Sequence, residues 1–185
     1  MIKVINYQFK IPDGANIINT TSRSKDFGRG LSPFLIGPCD LYDNYVSKNM
    51  ENSWQFSKVY QEDLEEDGSV GEKYFKWAQE GWNDNFAHRY PKGKGAKPLF
   101  SYWAGEKLDY VEARKKIYIP LYSEAVRKTE AWKKLKDLYE EKKSIMLLDY
   151  DSHNLSYGID YWALWNNPNI KVGHAYVLAM MLENI

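Results

Sequence analysis

The stretch from Gly173 to Glu183 is apolar almost throughout, with His174 in its first turn. A helix without a polar face cannot lie on a surface, so this one has to pack through the core, under cover of the remaining elements. It is too short to cross a bilayer, as is every other apolar run in the chain, and no membrane partner is expected. The opening Met1-Ile2-Lys3-Val4-Ile5-Asn6-Tyr7 has neither the charged n-region nor the long apolar stretch of a signal peptide. The single cysteine, Cys39, excludes an intramolecular disulfide and a cysteine-based zinc cluster and suits a reducing compartment. These features predict a soluble, cytoplasmic protein. A length of 185 residues, with no repeat and no low-complexity tract, predicts a single domain over residues 1–185.

The elements around that helix read as an α+β fold, mainly α: a compact helical domain with a few short strands. Lys3 to Phe9 is β-branched and aromatic and stops at Pro12-Asp13-Gly14, a turn signal, which predicts a hairpin returning through Ala15 to Asn19. Pro33 to Gly37 reads as a short buried strand. From Met50 to about Glu62 the spacing is helical, with Asn49 as its cap. A second helix is predicted from Gly71 to Gln79, ending near Gly81. Leu108 to Ile119 returns to helical spacing and should break or kink at Pro120. Thr129 caps a helix over Glu130 to Glu141, and Ser144 to Asp149 is the strongest later strand.

Charge is balanced, 25 basic against 25 acidic residues, so any anion site must be local. Aromatic residues, 16% of the chain, serve a core or stack on nucleobases. Glu51, Gln55 and Lys58 fall at i, i+4 and i+7 of the predicted helix, an acid, an amide and an ammonium along one stripe. They read either as a partly buried site with a tuned charge state or as a surface ion pair. Lys92-Gly93-Lys94-Gly95-Ala96-Lys97 places lysines among glycines, either a phosphate-binding loop or a solvated one, and it is not a Walker motif. Arg114, in an otherwise apolar helical stretch, is an anion clamp or the partner of a carboxylate such as Glu112 or Glu51. Asp149 and Asp151 leave the end of a buried strand, a usual place for a catalytic or ribose-binding acid. With His153 they do not make a convincing metal set, because alternate loop residues need not converge. Cys39 lacks a histidine partner in sequence, and His174 reads as a core or capping histidine.

The segment Glu51-Asn52-Ser53-Trp54-Gln55-Phe56-Ser57-Lys58 resembles the signature helix of the NADAR family, a Glu followed by an aromatic residue, Gln and Lys. Other pieces resemble that family in the same order. They are Ser32-Pro33-Phe34 to Gly37, Ala96-Lys97, Arg114 with Ile117-Tyr118, Leu121 and Ala125, Leu147-Leu148-Asp149-Tyr150-Asp151 with Tyr157-Gly158, and Lys171-Val172-Gly173. Together they cover about Leu31 to Ile185. The chain departs from the family at Asn52-Ser53, where His-Tyr is usual, at Tyr157-Gly158, where Trp-Gly is usual, and in an aromatic and charged insert between Glu62 and His88.

The resemblance implies a NADAR-like fold and cleavage of an N-glycosidic bond on a phosphorylated ribosyl group, without metal or other cofactor. Glu51 would stabilise the oxocarbenium-like sugar or activate water. Asp149 or Asp151 would hold ribose hydroxyls, Gln55 would belong to the same binding stripe, and Lys58, Lys97 and Arg114 would hold phosphate. Trp54 or Trp103 would stack on the base. The partner is then a ribosylated or nucleotide-like small molecule, or a modified nucleic acid. Two other readings stay open: a protein that binds nucleotide or nucleic acid without chemistry, and a scaffold whose aromatics are all core.

Overall fold

The structure is a computed structural model that describes residues 1–153 and 159–185. Helix makes up about 39% of the chain and strand 14%, so the architecture is mixed, with more helix than strand. It opens with β1 (Ile2–Ile5) and β2 (Ile17–Asn19), then a 3-10 turn over Phe27–Leu31. β3 (Cys39–Asp40) and β4 (Val46–Ser47) pair antiparallel ahead of α1 (Met50–Gln55) and β5 (Lys58–Val59). After α2 (Glu72–Trp82) come β6 (Phe100–Trp103) and β7 (Glu106–Leu108), which with β5 form a second antiparallel sheet. α3 (Tyr110–Ala113) continues through a π-helical stretch, Arg114–Tyr118, into α4 (Ile119–Arg127). Then follow α5 (Glu130–Lys142), β8 (Ile145–Leu148), α6 (Tyr161–Asn166) and α7 (His174–Leu182).

The apolar segment from Gly173 to Glu183 forms α7. Every residue from His174 to Ala179 is buried, as are Met181 and Leu182, and the helix packs against α4, β1 and β8. A fully buried Val or Leu such as Val177 or Leu178 contributes about 1.5–3 kcal/mol relative to exposure, so this helix anchors the main core. Thr129 caps α5 by accepting from the Trp132 amide at 3.1 Å, and Trp132 and Leu135 are buried.

Four expectations are corrected. β1 and β2 do not form a hairpin; both run parallel to β8, in the order β1-β8-β2. The turn exists, with Ala15 N donating to Pro12 O and Gly14 at φ 74°. It serves a return path, because three apolar strands satisfy more backbone as a buried parallel sheet than two do alone. Pro33 to Gly37 is a turn rather than a strand, closed by Leu35 N and Ile36 N on Ser32 O. α1 stops at Gln55, since Lys58 and Val59 pair with Ser101 and Phe100 of β6. Pro120 does not interrupt its helix. The wider turn before it, in which Ile119 N donates to Arg114 O, absorbs the ring and its missing N–H. The Tyr157-Gly158 step lies outside the described residues.

Candidate active site

Backbone hydrogen bonds at the start of α1 place Glu51. Its amide donates to Pro33 O at 2.9 Å, and that of Met50 donates to Ile36 O at 2.8 Å, so the turn at 33–36 is the platform on which α1 starts. Asn49 Oδ1 caps the helix by accepting from the Asn52 amide at 2.8 Å. The Asn52 side chain in turn donates to Gly81 O and Phe86 O at 2.9 and 2.8 Å and accepts from the His88 amide at 2.8 Å. One buried amide thereby sets the path of the chain into Arg89.

The Glu51 carboxylate is 6% exposed and accepts from Gln55 Nε2 at 2.9 Å. Gln55 Oε1 accepts from Lys58 Nζ at 2.7 Å. The neutral amide stands between acid and ammonium, with its donor turned to one and its acceptor to the other. Lys58 reaches this position from β5, not from a third helical turn, and its ammonium lies 5.0 Å from the centroid of the Trp54 ring. Burial pushes the Glu51 carboxyl up, against the Gln55 hydrogen bond and the charges of Lys58, Arg89 and His174. Burial also pulls the Lys58 ammonium down to about 8, with Glu51 opposing and Lys171 reinforcing the shift. Burial thus displaces the proton affinities of the two groups toward each other.

These side chains line a cavity of about 1040 Å³, walled by the loop after β2, the π-helical stretch, the loop after β8, residues 168–174 and the Arg89 to Pro98 loop. Glu51, Trp54, Gln55, Lys58, Lys97, Arg114, Asp149 and Asp151 all line it. Trp103 does not: it sits on β6 with its ring 4.8 Å from that of Tyr42, edge to face, and packs beside Leu108. Strand parity turned it into the second sheet's own aromatic cluster.

Several lining groups already have structural partners. Asp149 Oδ2 accepts from the Ala175 amide at 3.2 Å and lies 3.2 Å from His174 Nδ1, so this carboxylate caps α7 at the positive end of its dipole. His174 Nε2 donates to Thr20 O at 2.9 Å. Asp151 Oδ2 accepts from Arg89 Nη2 at 3.0 Å, and both side chains are about one-third exposed at the cavity edge. His153 turns away to Lys171 O. Among the described residues no group of three or more His, Cys, Asp or Glu could hold a metal ion. The Arg114 guanidinium is 2% exposed and donates to the carbonyls of Leu164, Trp165, Asn167 and Ile170. In the glycine-lysine loop, Lys92 is bound to Asp63 at 2.6 Å and Lys97 alone of the three lysines lines the cavity.

Arg23, Arg89, Tyr118, Tyr150 and Lys171 also line the cavity and were not singled out from the sequence. Tyr118 is buried beside Glu51 and Asp149, which pushes its phenol well above the usual range. The lining carries six basic side chains, Arg23, Lys58, Arg89, Lys97, Arg114 and Lys171, against three acidic ones, Glu51, Asp149 and Asp151. In a chain of zero formal net charge, that excess is local, as an anion site requires.

The family model described as DUF6939, a family of unknown function, matches residues 2–157. The chain belongs to DUF6939. No curated protein and no solved structure matches it. The DUF6939 span includes α1, β5 and the loop after β8, and hence the Glu51–Gln55–Lys58 chain; the wall at 168–174 and α7 follow it.

Proposed function

We propose that the cavity hydrolyses the bond between a ribosyl C1′ and a base nitrogen in a phosphorylated nucleotide-like or ADP-ribosylated substrate. One observation carries the reading: the Glu51–Gln55–Lys58 chain lies in a cavity where Arg23, Lys58, Lys97 and Lys171 have no carboxylate partner among the described residues. Cations in excess of acids call for an anionic ligand, and the rings of Trp54, Tyr110, Tyr118 and Tyr150 line the same cavity, where a base would meet them. The ordered motifs that resemble the NADAR family point to the same chemistry.

When the C1′–N bond breaks, its electron pair leaves with the nitrogen and positive charge develops on the sugar. The ionised Glu51 carboxylate stabilises that charge and takes a proton from the attacking water, whose oxygen bonds to C1′. The Lys58 ammonium, made more acidic by burial, protonates the departing nitrogen. Asp151, at the cavity edge, takes ribose hydroxyls more readily than Asp149, whose Oδ2 is engaged at the start of α7. Lys97 and Lys171 reach for phosphate.

The test is release of free base from a panel that includes ADP-ribosyl-guanine DNA and phosphoribosyl-aminopyrimidines, followed chromatographically for wild type and Glu51→Gln. Cleavage of one member by wild type, with a loss of about a hundredfold or more in a folded Glu51→Gln protein, is the expected result. Equal binding by both proteins without cleavage would instead make the cavity a nucleotide-binding site without chemistry.

A further inference from the structure

Two consecutive carbonyls in the cavity wall are each taken by a side chain from a different part of the fold. Arg114 Nη2 donates to Ile170 O at 2.8 Å from inside the core, and His153 Nε2 donates to Lys171 O at 2.6 Å from the loop after β8. Between them lies the backbone from which Lys171 projects toward the cavity. The segment is irregular: Asn167, which ends α6, is extended and has no capping hydrogen bond of its own. The last carbonyls of that helix would be left as buried orphans, and Arg114 Nη1 takes them, reaching Leu164 O, Trp165 O and Asn167 O at 3.0, 3.3 and 3.3 Å. The guanidinium is itself seated 4.5 Å from the Tyr110 ring centroid. A planar fork that serves four carbonyls is something lysine cannot reproduce. Its place in the π-helical stretch is what aims it inward.

We propose that Arg114 and His153 are positioning residues that set the Lys171 ammonium against the anionic part of the ligand, and that Arg114 does not itself contact that ligand. This inference rests on the reading of the cavity as an anion site. It assigns Arg114 a role different from that of a phosphate clamp, and it brings His153, which does not line the cavity, into ligand recognition.

The experiment is a pair of double-mutant cycles with ADP-ribose as the probe, its affinity measured by calorimetry for wild type, Arg114→Lys, His153→Ala, Lys171→Met and each double with Lys171→Met. If the two residues act through Lys171, each weakens binding by about tenfold alone and adds little once Lys171 is methionine. In turnover they raise KM more than they lower kcat, because Arg114 and His153 hydrogen-bond the carbonyls of this wall and neither bonds Glu51 or Lys58. Losses that multiply to about a hundredfold in the doubles would overturn the inference, as would a Lys171→Met protein that binds like wild type. Should Arg114→Lys fail to fold, the His153 cycle decides alone, since that side chain can be truncated without opening the core. Failure of the wild-type protein to bind ADP-ribose would instead overturn the underlying reading. That outcome is distinct from wild-type binding with independent losses.

Discussion

Gly173→Ala isolates the contact between the Asp149 carboxylate and the start of α7. Gly173 has φ −84° and ψ 169°, an extended backbone in which alanine is comfortable. Judged by backbone alone, the substitution would stabilise by about 0.4–1 kcal/mol through the unfolded chain. The space around it reverses the sign. An added Cβ would stand 2.8 Å from the Asp149 carboxyl carbon, with Oδ2 closer still, well inside an ordinary contact of about 3.5–4 Å. The carboxylate must therefore swing away and give up the Ala175 amide and His174 Nδ1. Loss of a charged hydrogen bond costs about 1.5–3 kcal/mol and loss of a helix cap about 1 kcal/mol, two accounts of largely the same contact. Less the entropic gain, the net is a destabilisation of about 0.5–2.5 kcal/mol. For a chain of this length that lowers Tm by roughly 1–10 °C in thermal unfolding followed by circular dichroism. In an Asp149→Ala background the clash is gone, so there Gly173→Ala should be neutral or stabilising. A Tm that is unchanged or raised by Gly173→Ala in the otherwise wild-type protein would refute the argument.

Turnover should need Glu51 ionised and Lys58 protonated. Burial raises the first and lowers the second to about 8, so kcat/KM should climb as Glu51 loses its proton, above the usual carboxylate range, and fall as pH passes 8. Lys58→Arg, which cannot deprotonate, should remove the alkaline limb from the pH–rate profile while lowering the plateau; an alkaline limb unmoved by that change would exclude Lys58 as its source. Burial pushes the Cys39 thiol up to about 11, and the residue is 3% exposed. Ellman's reagent at pH 8 should accordingly report about one thiol only after denaturation, and prompt reaction of the folded protein would contradict the burial.

Local chemistry was legible where a short motif fixes its own geometry. Asn49 as a cap, Glu51 and Gln55 on one face, Thr129 as a cap, the Ser144 to Asp149 strand and the all-apolar last helix required nothing beyond spacing and propensity. What could not be read was partner choice. Nothing in Ile2 to Ile5 or Ile17 to Asn19 tells them that β8 will come between them. Phe56, Val59 and Tyr60 suit a helix face as well as the strand and turn they occupy. Arg23, Arg89 and Lys171 stand singly in loops, where no periodicity marks a side chain as facing a cavity. Trp103 failed for a related reason, since the face it takes follows from its register against Glu106 on β7.

The arrangement of Glu51 and Lys58 is hard to explain by stability. A buried acid and a half-buried lysine are most stable either in direct contact or replaced by apolar residues of like volume. Here Gln55 is inserted between them, so each ion keeps one hydrogen bond to a neutral amide and the direct pair is lost. Both are desolvated, as the opposite displacements of their proton affinities record. The remaining compensation for Lys58 faces the cavity, where Lys171 adds like charge instead of relieving it. On the proposed function, an anion entering between these ammonium groups would supply what the fold withholds. Ligand binding and proton tuning would then be one electrostatic device, in which the uncompensated charge lining the cavity meets the phosphorylated substrate.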